Sequence, residues 1–156
     1  MIVPFPTDRD EQWAARTFPG IAGRFRKTSD YDEGYNCLAW ALGRNDGWLY
    51  PAINIPPYTW PAGVPEDWSV AAIREIFARN GYTEETDSSD LEDEWEKVAF
   101  YIANNGEPLH FSRQLPNGKW TSKLGKQIDI EHDDLICLEG ANYGTLGLIL
   151  KRRKQS

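Results

Sequence analysis

The stretch KVAFYIANNGEPLHFSRQLPNGKWTSKL, residues 97–124, alternates apolar and polar side chains and is broken twice by turn sequences. A period of two is typical of strands, because successive side chains of a strand point to opposite faces of a sheet. The breaks, NNG at 104–106 and PNG at 116–118, favour tight turns, since Asn and Gly tolerate a positive φ. The stretch therefore predicts neighbouring antiparallel strands, with residues 120–124 returning beside residues 109–115.

Two helices are predicted ahead of these strands. Residues 36–42 have apolar positions at helical spacing, and Gly43 closes the segment. Ser69 caps a longer helix that ends at Asn80 and shows one apolar face. Helices followed by a largely antiparallel sheet indicate an α+β fold.

The two ends of the chain are expected to contribute little to the site. Residues 1–30 mix Pro, aromatic and charged side chains without a clean period, and we expect them to wrap the domain. A last strand is predicted at residues 145–150, followed by a frayed basic tail at 151–156. With no repeat and no boundary, residues 1–156 are predicted to form one domain.

The composition excludes several classes of protein. With 40% hydrophobic residues the chain can fill a core, and 17 basic against 24 acidic residues give a net charge of -7. That balance argues against nucleic-acid binding. The absence of a signal sequence or an apolar run of membrane-spanning length predicts a soluble cytoplasmic protein without a membrane partner. The acidic residues 84–96 are expected to form a solvated loop, with a docking surface for a protein as the alternative.

The two cysteines lie in different surroundings. Cys137 lies in an apolar run, which predicts a small core side chain, whereas Cys37 lies beside polar residues. One possible bridge is no disulfide framework. Because the chain has no Cys-x-x-Cys or His-x-x-x-His spacing, we expect neither a metal site nor a cofactor.

Cys37 and His110 are the residues with the right types for nucleophilic catalysis. Cys37 lies in the first turn of a predicted helix, where free N–H groups favour a thiolate. His110 lies in mid-strand on the polar face with Ser112 and Gln114, where a rigid strand suits a base. The competing interpretation is a packed cysteine and a structural histidine. A catalytic Cys37 is expected to alkylate faster than Cys137 near neutral pH, with a lowered pKa.

Two segments resemble a family of small uncharacterised bacterial proteins: GYNCLAWALG at 34–43 and HFSRQLPNGKWTSKLG at 110–125, with the Tyr-Gly pair at 143–144 also fitting. At greater distance, an Asn-Cys pair at a helix start followed by a His on a hairpin strand is similar to papain-like folds, including the NlpC/P60 cysteine peptidases and amidases. The resemblance implies a papain-like fold with N-terminal helices packed on a C-terminal antiparallel sheet. It implies Cys37 as nucleophile, His110 as base and later acid, and a third polar group orienting the imidazole.

The first candidate for this third group is Ser122. In a hairpin turning at 116–118, Ser122 is expected to lie across from Ser112 and next to His110. A register error of one residue would move it to the other face. Three further residues remain alternatives: Asp129, His132 and Gln114.

Candidates for binding the substrate follow from position. The N–H of Cys37 is available for an oxyanion hole, with a second hydrogen bond from Asn36 or Tyr31. Helix capping is an equal alternative for Asn36. Gln114 is a further candidate. The aromatic residues of the Pro-rich loop either line a groove or cover the core. These residues are Trp48, Tyr50, Tyr58 and Trp60.

The sequence thus predicts a cysteine hydrolase or acyltransferase that cleaves a peptide, isopeptide or cell-wall amide through an acyl-enzyme on Cys37. Its partner would be a peptide or protein substrate. The alternative is a non-catalytic acidic interaction or immunity-type module in which Cys37 is structural and the acidic residues 84–96 face a partner.

Overall fold

The computed structural model describes residues 8–52 and 55–154. Within these residues there are three α-helices, α1 (Arg9–Thr17), α2 (Cys37–Ala41) and α3 (Val70–Arg79), and two 3₁₀ helices, Pro19–Ile21 and Ile136–Leu138. The strands are β1 (Phe25–Ser29), β2 (Trp48–Leu49), β3 (Tyr58–Thr59), β4 (Glu84–Glu85), β5 (Trp95–Ile102), β6 (Pro108–Gln114), β7 (Trp120–Lys123), β8 (Asp129–His132) and β9 (Thr145–Arg153). No helix in the described ranges is both long and apolar enough to pass through a membrane.

Seven of the strands form one antiparallel sheet in the order β1-β8-β7-β6-β5-β9-β4, and β2 and β3 form a separate parallel pair. The predicted neighbours β5, β6 and β7 are confirmed: Phe100 lies opposite Phe111, and Arg113 lies opposite Thr121. The fold is therefore α+β with a large antiparallel sheet. The central strand, β6, carries His110.

The first face of the sheet packs against α2 and α3. Ser69 caps α3 by accepting a hydrogen bond from the N–H of Ala72 at 3.1 Å. The apolar stripe of α3 then reaches the sheet, where the ring of Phe77 lies 5.2 Å from that of Phe100. Leu38 of α2 belongs to the same buried cluster. This layer holds the helix that begins at Cys37 against β6.

The second face is also covered, although the alternation along β6 predicted a polar face there. Its cluster joins Tyr101 and Trp120 of the sheet to Ala14 of α1 and to both 3₁₀ helices. The part of the expected wrapping segment that is described, residues 8–30, thus supplies a helix, a core layer and the edge strand β1; residues 1–7 lie outside the described residues. As a result the polar face predicted for β6 is an interior layer.

The prediction of a frayed basic tail from residue 151 is wrong for the residues described. Strand β9 continues to Arg153, which pairs with Trp95, and Lys151 pairs with Lys97. The Lys151 ammonium lies 4.1 Å from the centroid of the Trp95 ring, so the indole covers the cation. The strand extends because β5 offers a partner along its whole length. Residues 155–156 lie outside the described residues.

The acidic residues 84–96 are largely exposed, as expected for a solvated loop, but the loop is anchored to the sheet. Glu84 and Glu85 form the edge strand β4. The side chain of Lys97 is fully buried, and its ammonium donates to the carbonyl oxygens of Ser88 at 2.8 Å and Asp90 at 2.7 Å. A buried ammonium needs such partners, because desolvation of an unpaired charge costs several kcal/mol.

Candidate functional site

Helix α2 begins at Cys37 because Asn36 caps it. The Asn36 side-chain oxygen accepts hydrogen bonds from the N–H groups of Ala39 and Leu49, each at 3.2 Å. Its amide nitrogen donates to the carbonyl oxygen of Leu49 at 2.7 Å. The cap interpretation of Asn36 is thus confirmed, and the one hydrogen bond that its amide nitrogen donates goes to Leu49.

A buried polar group fixes the chain immediately before this cap. The Tyr35 hydroxyl donates to the carboxylate of Asp129 at 2.5 Å, and the Lys123 ammonium lies 4.6 Å from the centroid of the Tyr35 ring. Lys123 also donates to the carbonyl oxygens of Asp32 and Gln127. Burial raises the pKa of Asp129 and lowers the pKa of Lys123. Asp129 therefore serves Tyr35 and does not orient His110.

The sulfur of Cys37 lies between helix α2 and strand β6. The residue is half-buried and packs against the first core cluster. Burial of the thiol raises the pKa of Cys37 to about 11, although hydrogen bonds from the backbone N–H groups of Phe111, Leu38 and Cys37 itself act to lower it. The expected lowering of this pKa is therefore wrong, since desolvation outweighs the N–H groups of a helix of one turn. The thiol is protonated at neutral pH.

His110 precedes Phe111 on β6 and is fully buried. Neither ring nitrogen has a hydrogen-bond partner among the described residues. Burial, and to a lesser extent the charge of His132, holds the pKa of His110 well below its usual value. The ring is therefore a neutral imidazole with both nitrogens free.

Cys37 and His110 thus meet the same strand from different faces of the sheet: Cys37 packs with the first core cluster, whereas the His110 ring contacts Tyr101 of the second. They make no hydrogen bond to each other. A third residue, Tyr143, contacts His110. Its ring is stacked on the His110 ring at 4.0 Å with an interplanar angle of 3°, and the charge of Cys37 contributes to raising its pKa, after burial. From the sequence, Tyr143 was recognisable only as a motif residue. A Tyr-Gly pair just before the last strand was the available signal.

Gly144 allows Tyr143 to reach this position. Its φ is +73°, and a Cβ there would lie 2.5 Å from the carbonyl oxygen of Ile102. We expect Gly144→Ala to lower the free energy of unfolding by about 1–3 kcal/mol or more, measured by urea denaturation. Gly47→Ala is the control, because a Cβ at Gly47 meets nothing within 4 Å. Equal stability of the two variants would contradict the prediction.

The register predicted for Ser122 is correct, but the Ser122 hydroxyl orients the imidazole of His132 and not that of His110. Its hydroxyl lies 2.7 Å from that of Ser112 and 2.8 Å from Nε2 of His132. Nδ1 of His132 lies 2.8 Å from the carbonyl oxygen of Asp134, and burial lowers the pKa of His132 to about 4. The predicted contact between Ser122 and His110 is not present. His132 in turn is fixed within this network and does not bond His110.

Cys137 is buried beside the same network, as predicted for a core thiol. Its sulfur lies 4.0 Å from Nδ1 of His132, and the thiol donates to the carbonyl oxygen of Asp134 at 3.1 Å. Burial raises the pKa of Cys137 to about 11. Because His132 is turned toward the Asp134 carbonyl at Nδ1 and toward Ser122 at Nε2, it has no free nitrogen for this thiol.

The candidates for binding the substrate are mostly engaged elsewhere. Trp60 is buried in the first core cluster and donates to the carbonyl oxygen of Pro65 at 2.9 Å, so it covers the core. Tyr31 is exposed and donates to Glu33 at 2.9 Å. Gln114 donates to the carbonyl oxygen of Ser89 at 2.9 Å, away from His110.

Trp48 lies near the start of α2. It belongs to β2, whose next residue, Leu49, is bound by Asn36, and its indole N–H donates to the carbonyl oxygen of Glu33 at 2.7 Å. Its ring contacts Tyr58, which in turn contacts Tyr50, at centroid distances of 5.9 and 5.5 Å. These rings form a partly exposed aromatic surface near the start of α2.

No three His, Cys, Asp or Glu side chains in the described ranges are arranged to hold a metal ion. A protein-family model described as a domain of unknown function, DUF7689, matches residues 26–151. That range includes α2, the whole of β6 and the loop of Tyr143. No curated protein and no solved structure gives a significant match.

Proposed function

We propose from the site itself that the protein, which belongs to the DUF7689 family, is a cysteine-nucleophile hydrolase or acyltransferase. The description of the family names no activity. The observation that carries the proposal is the imidazole of His110, which is buried on the strand against which the helix of Cys37 packs and has no hydrogen-bond partner among the described residues. A buried polar group without a partner costs about 1–3 kcal/mol. Such a cost is typical of functional sites, where a reacting group supplies the missing partner.

In the proposed reaction both groups start uncharged. As the Cys37 sulfur bonds to the substrate carbonyl carbon, its proton passes through a water admitted with the substrate to a ring nitrogen of His110. His110 then protonates the leaving amine as the C–N bond breaks, which leaves a thioester on Cys37. Water or an amine then attacks the thioester while His110 takes its proton, and as the C–S bond breaks His110 gives that proton to the leaving sulfur, which regenerates the thiol.

Backbone N–H groups are available for the oxyanion. Those of Cys37 and Leu38 belong to the first turn of α2, where an N–H has no partner within the helix, and that of Phe111 lies on the adjacent strand. Donors on a helix start and on a central strand are held rigidly, which is what stabilisation of a developing charge requires. The candidate substrate class is a peptide, isopeptide or cell-wall amide.

The arrangement supports a papain-like interpretation of the fold. A cysteine at the start of a helix packs against an antiparallel strand that carries a histidine, in that order along the chain. This agrees with the topology that the resemblance implies, and the proposal of a papain-like fold rests on it.

The test is to trap the acyl-enzyme. We expect an activated thioester or nitrophenyl ester to acylate Cys37, seen by mass spectrometry as one acyl group on the peptide containing residue 37. Cys37→Ala should lose this adduct, and Cys137→Ala, the matched control, should keep it. An adduct of equal yield in Cys37→Ala would refute the proposal.

A non-catalytic interaction module is the second candidate. The observation that favours it is the complete burial of His110, together with the raised pKa of Cys37. In such a module the thiol and the imidazole are only packed. In that case the Cys37→Ser variant should still bind the partner, and neither it nor the wild-type protein should turn over an ester, amide or thioester. In the proposed enzyme the same substitution would abolish turnover.

A further inference from the structure

The His110 ring is held by its face and not by its edge. In a triad of hydrogen-bonded residues the third member binds one ring nitrogen, but neither nitrogen of His110 has a partner within residues 8–52 and 55–154. Its face is covered by Tyr143, nearly parallel at 4.0 Å, and Tyr101 packs at 5.5 Å with an angle of 47°. Aromatic contacts of this kind fix the plane of a ring and leave its nitrogens free.

The loop that carries Tyr143 is itself constrained. Gly140 and Gly144 exchange two backbone hydrogen bonds, at 3.1 and 2.8 Å. Between them the side chain of Asn142 donates to the carbonyl oxygen of Thr17 at 2.8 Å, which ties the loop to the end of α1. The Tyr143 ring also packs on Phe18 at 4.8 Å. The loop and the ring are therefore held by contacts that do not involve His110.

We propose that Tyr143 is the positioning residue of His110, holding the imidazole plane by stacking in place of a hydrogen-bonded third member. This inference rests on the proposed function. The stack also suits the reaction, because the imidazolium formed during acylation would lie against an aromatic face, and a cation is attracted to such a face.

The experiment separates the ring of Tyr143 from its hydroxyl group. Tyr143→Phe keeps the stack, whereas Tyr143→Leu removes it, and Tyr143→Met is a second unstacked variant in case leucine impairs folding. The chain has two histidines, so the ring resonances of His110 and His132 can be followed by NMR, and the acylation rate can be measured on the same samples.

We expect Tyr143→Phe to acylate within about threefold of the wild-type rate and to keep the upfield ring-current shift of His110. Tyr143→Leu and Tyr143→Met should lose that shift and acylate about 10- to 100-fold more slowly, because a small misplacement of a base has a large effect on rate. In these two variants the titration midpoint of His110 should change, whereas the titration midpoint of His132 should stay the same.

Two outcomes would overturn the positioning role: unchanged His110 resonances and rate in the leucine and methionine variants, or a phenylalanine variant as slow as they are. The latter would assign the role to the hydroxyl group. The proposed function fails separately, if wild-type protein shows no acylation while the His110 resonances still depend on the ring at position 143.

Discussion

Replacing His110 with leucine is expected to raise the free energy of unfolding by about 1–3 kcal/mol while the acylation rate falls by about 10²- to 10⁴-fold. Stability rises because the ring is fully buried and forms no hydrogen bond with any described residue. In the wild-type protein the desolvation of its two nitrogens is therefore not compensated. Activity falls because the base is lost. Urea denaturation and thioester turnover of the same sample measure both effects.

His132→Leu is the matched control for this prediction. His132 is equally buried, but both of its nitrogens lie 2.8 Å from partners, the Ser122 hydroxyl and the Asp134 carbonyl oxygen. Its removal leaves those partners unsatisfied, so stability should fall by about 1–3 kcal/mol. If His110→Leu destabilises the protein as much as His132→Leu, the unpaired state of His110 is contradicted.

The stabilising effect of His110→Leu should grow in acid. The pKa of His110 in the folded protein lies well below 6.5, so the unfolded chain binds more protons at a pH between the two values. Stability of the wild-type protein therefore falls as the pH drops below about 6.5, and the leucine variant lacks this contribution. His132, with a pKa of about 4, adds the same contribution to both proteins.

The strand pattern was predictable because alternation and turn sequences are local properties. The period of two over β5 and β6, and the turn before β7, define three neighbouring strands without knowledge of the rest of the chain. The start of α2 was equally local, since Asn36 caps it with its own side chain. Both features place Cys37 and His110 on the correct elements.

What covers the sheet was not predictable in this way. Alternation marks His110 and Ser112 as one face of β6, but it does not say whether water or protein lies against that face. The answer depends on residues distant in sequence, such as Phe18 and Leu138, which pack over it. A strand whose two faces are both buried can keep polar side chains if they bond each other, as Ser112 and Ser122 do.

The same limit explains the misassigned third member. The register that places Ser122 opposite Ser112 was correct, yet two histidines compete for its hydroxyl. Strand β8 lies beside β7 and brings His132 to it, whereas the His110 ring meets Tyr143 in the loop before β9. Strand order, and not residue type, decides between the two.

Alkylation of Cys37 by iodoacetamide is expected to accelerate about tenfold for each pH unit between pH 7 and 10, about a thousandfold in all, without a plateau. Burial raises the pKa of this thiol to about 11, so deprotonation, which creates the reactive thiolate, continues across the whole range. In the urea-unfolded chain the rate should level off near pH 9, the ordinary range of a cysteine. Mass spectrometry of the peptide containing residue 37 measures the rate at this site alone.

Two comparisons make the pH profile of Cys37 alkylation diagnostic: the profile of Cys137, and the profile of Cys37 in the His110→Leu variant. Cys137 has a similarly raised pKa but little exposed surface, so it should show the same rise at a lower rate. His110→Leu should leave the profile of Cys37 unchanged, since the two side chains make no hydrogen bond. A plateau below pH 8 that disappears in His110→Leu would instead reveal a thiolate–imidazolium pair already formed in the free protein. Without such a plateau, the proton leaves sulfur only as the bond to the substrate forms, and catalysis then depends on how firmly His110 is held for that moment.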